Sequence, residues 1–162
     1  MYCRHATEDD YPAICRLLTS AEELFLVYPA GQFPLTVKQL RELSKWRIGM
    51  TVALVDEQVV GFANFYNHKP GESVFLGNVV IAASERGQGY GRALIEYMID
   101  QARGELALPE LHLSVFNSNT AALLLYAQMG FEPYAIERRS GLGGQPSGLL
   151  HMRMLLGVHF GS

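Results

Sequence analysis

Hydrophobic positions change period several times along the chain, and each change marks an element. "YCRHA" at the start forms a short strand pattern. "TEDD" offers helix caps, and Ile14, Leu17 and Leu18 fall at i, i+3 and i+4, which predicts a helix from about Asp9 to Ser20. The apolar segment "AEELFLVYPAGQFP" is broken by Pro29, Gly31 and Pro34, so it reads as a loop or a short helical turn. Thr36 caps a second helix, "VKQLRELSKWR", with Val37, Leu40 and Leu43 on one face.

The period then drops to two. "TVALV" and "VVGFANFY" flank the turn "DEQ" as a hairpin, and "SVFLGNVVIA" is a longer strand. After a glycine-rich stretch, Leu94, Ile95, Met98, Ile99 and Ala102 line one face of a helix that Gly104 is placed to end. "ELHLSVF" is a strand with Leu111, Leu113 and Val115 on one side and His112, Ser114 and Phe116 on the other. "NSN" caps the helix "TAALLLYAQM", Gly130 stops it, and "FEPYAIERR" and "GLLHMRML" close the chain as a strand pair around "SGLGGQPS". Without repeats or linkers, this order predicts one domain over residues 1–162. Its βα alternations are too few for a doubly wound parallel sheet. The expected class is α+β (mixed α/β): a central, mostly antiparallel sheet with helices on both faces.

Composition narrows the function classes. Hydrophobic residues make up 49% of 162 and charged residues 18%, as in a folded globular chain. The net charge is -3 with no Lys/Arg run, which argues against a nucleic-acid partner. Cys3 and Cys15 form no metal or disulfide pattern, so no metal site is expected. No signal-peptide pattern or membrane-length apolar run occurs, so the expectation is a cytoplasmic protein without a membrane partner.

The stretch "SERGQGYGRALIEYMIDQA" sets Gly87, Gly89 and Gly91 directly ahead of a helical run. First-turn N–H groups lack intrahelical partners, and the helix dipole adds positive potential. Glycines leave the backbone open to an oxyanion, and Arg86 and Arg92 flank the turn. Pyrophosphate is the natural occupant. The spacing is neither G-x-G-x-x-G nor a P-loop.

"RGQGYG" matches R/Q-x-x-G-x-G/A, and "NTAALLLYAQMGF" matches N-x-x-A-x-x-L-Y-x-x-x-G-F through Asn119, Ala122, Leu125, Tyr126, Gly130 and Phe131. With the strands "NVVIA" and "LHLSV" in place, residues 48–138 resemble the GNAT N-acetyltransferase family. The resemblance implies a twisted sheet with a splayed parallel strand pair and acetyl-CoA as cosubstrate. It implies cofactor contacts from Val79, Val80, Ile81, Arg86, Gly87, Gln88, Gly89, Tyr90, Gly91, Arg92, Asn119 and Tyr126, with Tyr126 as general acid. It also leaves room for a homodimer.

The implied reaction is direct attack on the thioester by a primary amine of a small molecule or a peptide or protein. Substrate-binding candidates are Glu23, Phe25, Tyr28, Asn78 and Ser114. The two positions at which such proteins often carry a glutamate base hold Phe75 and Ser114. The base is therefore open among Glu72, Glu23, His112, His151 and a water chain through Asn78 or Ser114. The missing glutamates keep an alternative in view: a non-catalytic CoA-binding sensor domain on the same fold.

Overall fold

The computed structural model describes residues 1–157. Its strands are β1 (Tyr2–His5), β2 (Ile48–Val55), β3 (Gln58–Lys69), β4 (Ser73–Ile81), β5 (Glu110–Phe116), β6 (Glu132–Ser140) and β7 (Pro146–Leu155). Its helices are α1 (Tyr11–Cys15), α2 (Ala21–Val27), α3 (Val37–Ser44), α4 (Tyr90–Arg103) and α5 (Thr120–Met129). The strands hydrogen-bond in the order β1-β2-β3-β4-β5-β7-β6. The β4–β5 pair is parallel, whereas β1–β2, β2–β3, β5–β7 and β6–β7 are antiparallel. The mixed, mostly antiparallel sheet expected from the sequence is therefore present. Among the described residues no helix is long and apolar enough to cross a membrane.

The chain divides into two compact units, one of Met1–Tyr66 and Gly77–Met98, the other of Asn67–Leu76 and the chain from Ile99 onward. In the first unit, Ile14, Leu24, Leu40 and Leu43 from the helices and Leu17 and Leu18 from the segment after α1 form one core with Val52, Leu54, Phe62 and Val80 from the strands. Each such fully buried side chain contributes roughly 1.5–3 kcal/mol. The alternate β2 residues Thr51 and Ala53 are buried as well, as in a strand covered on both faces.

The early helices differ from the periodicity. The helix expected over about Asp9–Ser20 is a 3-10 turn at Glu8–Asp10 followed by the short α1. The segment expected as a loop or short turn contains α2. The reason is local capping. The Thr7 N–H donates to Asp10 Oδ2 at 2.8 Å, which organises the turn. Ser20 stands in extended backbone and its Oγ accepts from Glu23 N at 3.1 Å, so a new helix starts directly after the residue where the expected one ends. Thr36 caps α3 as expected, accepting from Gln39 N at 3.2 Å.

In the second unit, β5 pairs with β7 from Glu110↔Leu155 to Phe116↔Leu149, and β7 pairs with β6. Leu111, Leu113 and Val115 are buried, while His112 and Ser114 lie half-buried on the other face. Gly130 adopts φ 106 and closes α5, and Phe131 N–H bonds Tyr126 O at 3.0 Å. α4 ends at Arg103, directly before Gly104 as expected, and the Gly104 N–H donates to Asp100 O at 2.8 Å.

Candidate active site

The glycine stretch is built from main chain. Gly87 and Gly89 adopt φ +80 and +84, a region that costs an L-residue about 1–2 kcal/mol. A Cβ at either would meet nothing within 4 Å. Crowding by the protein therefore does not require these glycines. Backbone conformation does, and the space before the main chain is open. The first helical bond of α4 is Ala93 N to Gly89 O at 3.1 Å, which leaves the preceding N–H groups outside the helical ladder. Open main chain at the start of a 14-residue helix is chemically suited to a phosphate group.

Arg86, expected among the cofactor contacts, uses its guanidinium elsewhere. Its Nε donates to Ile81 O at 3.1 Å and its terminal nitrogen pairs with Glu23 at 2.7 Å. The arginine thus anchors the loop to the end of β4 and to α2. Glu23, expected as a substrate contact or base, also accepts from Thr19 Oγ1 at 2.7 Å. The Thr19 hydroxyl, with Arg86 beside it, holds that carboxyl below the usual glutamate range and makes it a poor base.

Asn78, another expected substrate contact, is a pin inside the fold. Its Oδ1 accepts from Arg47 Nε at 3.1 Å and Asn64 Nδ2 at 2.9 Å, and its Nδ2 donates to Val27 O at 2.8 Å. It adopts φ 49 within β4, a conformation asparagine tolerates better than most residues. The sequence signal for this irregularity was the Gly77-Asn78 pair inside a strand pattern. Tyr28 packs its ring against Gly31 and lies partly buried against the helical core. Phe25 lies half-buried on α2.

β4 pairs with β5 from Ser73↔Glu110 to Leu76↔Leu113. Val79, Val80 and Ile81 lie beyond that register on β4, and Ser114 follows it on β5. Asn119 occupies the N-cap of α5 with no side-chain cap bond. Its expected capping role is thus not made by the side chain. Tyr126 is buried on α5, its ring edge-on to Phe131 at 5.8 Å between centroids. The "Y-x-x-x-G-F" spacing therefore has a structural cause: the glycine turns the chain and the phenylalanine buttresses the tyrosine.

Two histidine networks lie on the half-buried face of β5 and its neighbours. His112 Nδ1 meets Tyr134 Oη at 2.8 Å and its Nε2 meets Glu110 Oε2 at 2.9 Å. Ser114 Oγ meets His151 Nδ1 at 2.7 Å, and His151 Nε2 meets Glu137 Oε1 at 2.5 Å. The His151 hydrogen bond, followed by Arg139, lowers the Glu137 carboxyl below its ordinary range. Burial pushes the Tyr134 phenol up. Sequence reasoning named Ser114, His112 and His151 but not Glu110, two residues before His112 on β5, nor Tyr134 and Glu137 on β6.

The profile of the Acetyltransferase (GNAT) family matches residues 11–131. The chain belongs to the GNAT acetyltransferase family. The ribosomal protein bS18-alanine N-acetyltransferase of Escherichia coli K12 is 38% identical to this GNAT protein over 63 residues, 39% of this chain and 42% of that protein. The chain thus spans about two-fifths of the length of that curated relative. A GCN5-related N-acetyltransferase from Kribbella flavida superposes with a TM-score of 0.75 at 30% identity, covering 95% of this chain and 96% of that one. YncA from Salmonella typhimurium, solved with its cofactor acetyl-CoA, shares the GNAT fold at a TM-score of 0.73 and 21% identity, covering 100% and 97% of the two chains.

Proposed function

We propose that the protein is an acetyl-CoA-dependent N-acetyltransferase. It works as one domain over residues 1–162 and acts on a primary amine of a small molecule or of a peptide or protein. The observation that carries this reading is the entrance to α4, where two left-handed glycines present open main chain at a helix N-terminus. The family membership and the uncommitted Asn119 cap support it.

Main-chain N–H groups of Gly87, Gln88, Gly89, Tyr90, Gly91 and Arg92 bind the pyrophosphate, with Arg86 holding the loop in shape. Val79, Val80 and Ile81 offer main-chain groups to the pantetheine arm and to the acetyl carbonyl. An N–H aimed at that oxygen also stabilises the negative charge that develops on it. Asn119 bonds the arm through its amide. Acetyl-CoA supplies an activated acyl carbon and a thiolate leaving group.

Tyr126 donates its phenolic hydrogen bond to the departing sulfur. A phenol of pKa about 10 is a weaker acid than a thiol of about 8.5, so Tyr126 stabilises the developing thiolate and transfers its proton late. Phe131 and the closed end of α5 keep the ring in place.

The test is a melting curve with and without acetyl-CoA, then thiol release across a panel of amines that includes polyamines and a peptide with a free N-terminal alanine. Acetyl-CoA at 100 times its Kd should raise the melting temperature by roughly 5–10 °C. No shift sinks the reading. A shift without thiol release from any amine assigns the chain to the CoA sensors instead.

A further inference from the structure

An acceptor amine arrives mostly as an ammonium, with a pKa of about 10, and must lose a proton before it can attack. Of the acidic candidates, Glu23 is tied to Arg86 and Thr19, and Glu72 lies in the turn between β3 and β4. His112 has both ring nitrogens engaged, by Tyr134 and by Glu110. His151 has the same arrangement, a hydroxyl on one nitrogen and a carboxylate on the other, but its hydroxyl belongs to Ser114, the first β5 residue past the register with β4. A hydroxyl accepts one proton while it gives up another.

We propose that Ser114, His151 and Glu137 form a proton relay that deprotonates the acceptor amine, with Ser114 as the residue the amine touches. The proposal rests on the acetyltransferase reading above. Ser114 is the residue after Leu113, where the register with β4 ends, and it lies on the strand leading into Asn119 and α5. Glu137 Oε1 accepts from the His151 Nε2–H, which leaves Nδ1 as the acceptor for the Ser114 hydroxyl.

The ammonium N–H bond breaks and its proton passes to Ser114 Oγ. The Ser114 O–H proton passes to His151 Nδ1, so the positive charge moves from the amine to the imidazole. Glu137 stabilises that imidazolium and orients the ring, which makes it a positioning residue. Its side chain is 46% exposed and lines an open cavity of about 380 Å³ with Asn117, Ile136, Arg138 and residues 146–148. The proton leaves through that opening to water.

The sheet register explains why these groups meet. Ser114 stands opposite His151 in the β5–β7 ladder, and β6 brings Glu137 alongside. The other titratable and charged groups around the ring are Tyr134 on β6, with centroids 6.1 Å apart, and Arg139, paired with Glu137 at 2.9 Å. His112 on β5 lies behind Tyr134, whose ring also faces Arg153 of β7 at 5.3 Å.

The experiment compares wild type, His151→Gln, Ser114→Ala and the exposed Glu137→Gln on two acceptors from pH 6 to 10. One is the best alkylamine of the panel. The other is methoxyamine, which is largely unprotonated in this range and needs no base before it attacks. His151→Gln and Ser114→Ala should lower kcat with the alkylamine about 100-fold near pH 7, Glu137→Gln about 10-fold, and methoxyamine turnover less than 3-fold. The alkylamine loss should shrink as pH rises. Equal losses on both acceptors, or unchanged rates, overturn the relay. Nitrogen NMR of the wild type should find the His151 proton on Nε2, and the opposite tautomer also overturns it. The acetyl-CoA melting shift, measured on the same proteins, should be unchanged in all three variants. A wild type with no shift and no thiol release defeats the acetyltransferase reading itself, and the relay with it.

Discussion

The α4 entrance and the β5–β7–β6 face carry chemistry in opposite ways. At the α4 entrance the proposed binding groups are main-chain N–H donors of the contiguous residues 87–92, where Gly87 and Gly89 stand in left-handed backbone. On the sheet face, Ser114, Glu137 and His151 come from three strands, and only their side chains meet. A site made of backbone is sensitive to φ and tolerant of side-chain chemistry. A site made of side chains is the reverse: the loss of one atom opens it while the fold is unaffected.

The sharpest break of that contrast comes from Tyr126→Phe. Turnover should fall about 100-fold or more while acetyl-CoA binding and the melting temperature hold, because the ring stays against Phe131. Near-normal turnover would remove the side-chain acid. Next, Gly89→Val should weaken acetyl-CoA binding 10- to 100-fold by calorimetry, through loss of one or two charge-assisted hydrogen bonds, at a folding cost of about 1–2 kcal/mol. Gly143→Val makes the control, since Gly143 has φ +75 with similarly open surroundings. It should cost the same in denaturant and leave acetyl-CoA binding alone.

A third test concerns a side-chain network that is local in sequence. Arg4 donates to both carboxylate oxygens of buried Asp10, at 2.8 and 2.9 Å. The guanidinium and the Thr7 N–H hold that carboxyl below the ordinary aspartate range. A depressed folded pKa stabilises the protein above the unfolded value of about 4, and the gain is lost as pH falls through the folded value. Asp10→Asn should therefore cost about 2 kcal/mol at pH 7, and its melting curve should converge on wild type in acid. The smallest effect belongs to Gln88→Ala, which should change acetyl-CoA affinity less than 3-fold if the loop binds through main chain. A larger loss would put a side chain into the cradle and blur the comparison.

The two regions also differ in how far they could be read in advance. Gly87, Gly89 and the helix that follows are neighbours in the chain, so their spacing already described the turn. Asn119, Tyr126, Gly130 and Phe131 lie within one helix and its cap, and the helical period relates them. The polar end groups escaped that reading. Asn78 was placed in the substrate site from its position on β4, yet contacts from Asn64, Arg47 and Val27 make it a structural pin. Arg86 and Glu23 were assigned separate ligand roles, and the fold pairs them with each other. Helix boundaries failed for a related reason, because Asp10 and Ser20 cap turns that hydrophobic periodicity does not register.

The sequence by itself determined the strand and helix order after residue 36, the glycine-built turn, the tyrosine helix and the family. These are encoded in spacings of a few residues, where the period of one element relates side chains directly. Tertiary structure alone decided which polar groups became partners. Ser114 lies 37 residues from His151, which lies 14 from Glu137, and only the ladder register of three strands closes those distances to hydrogen bonds. Register depends on pairing energies summed over whole strands, and no local pattern in the chain states that sum.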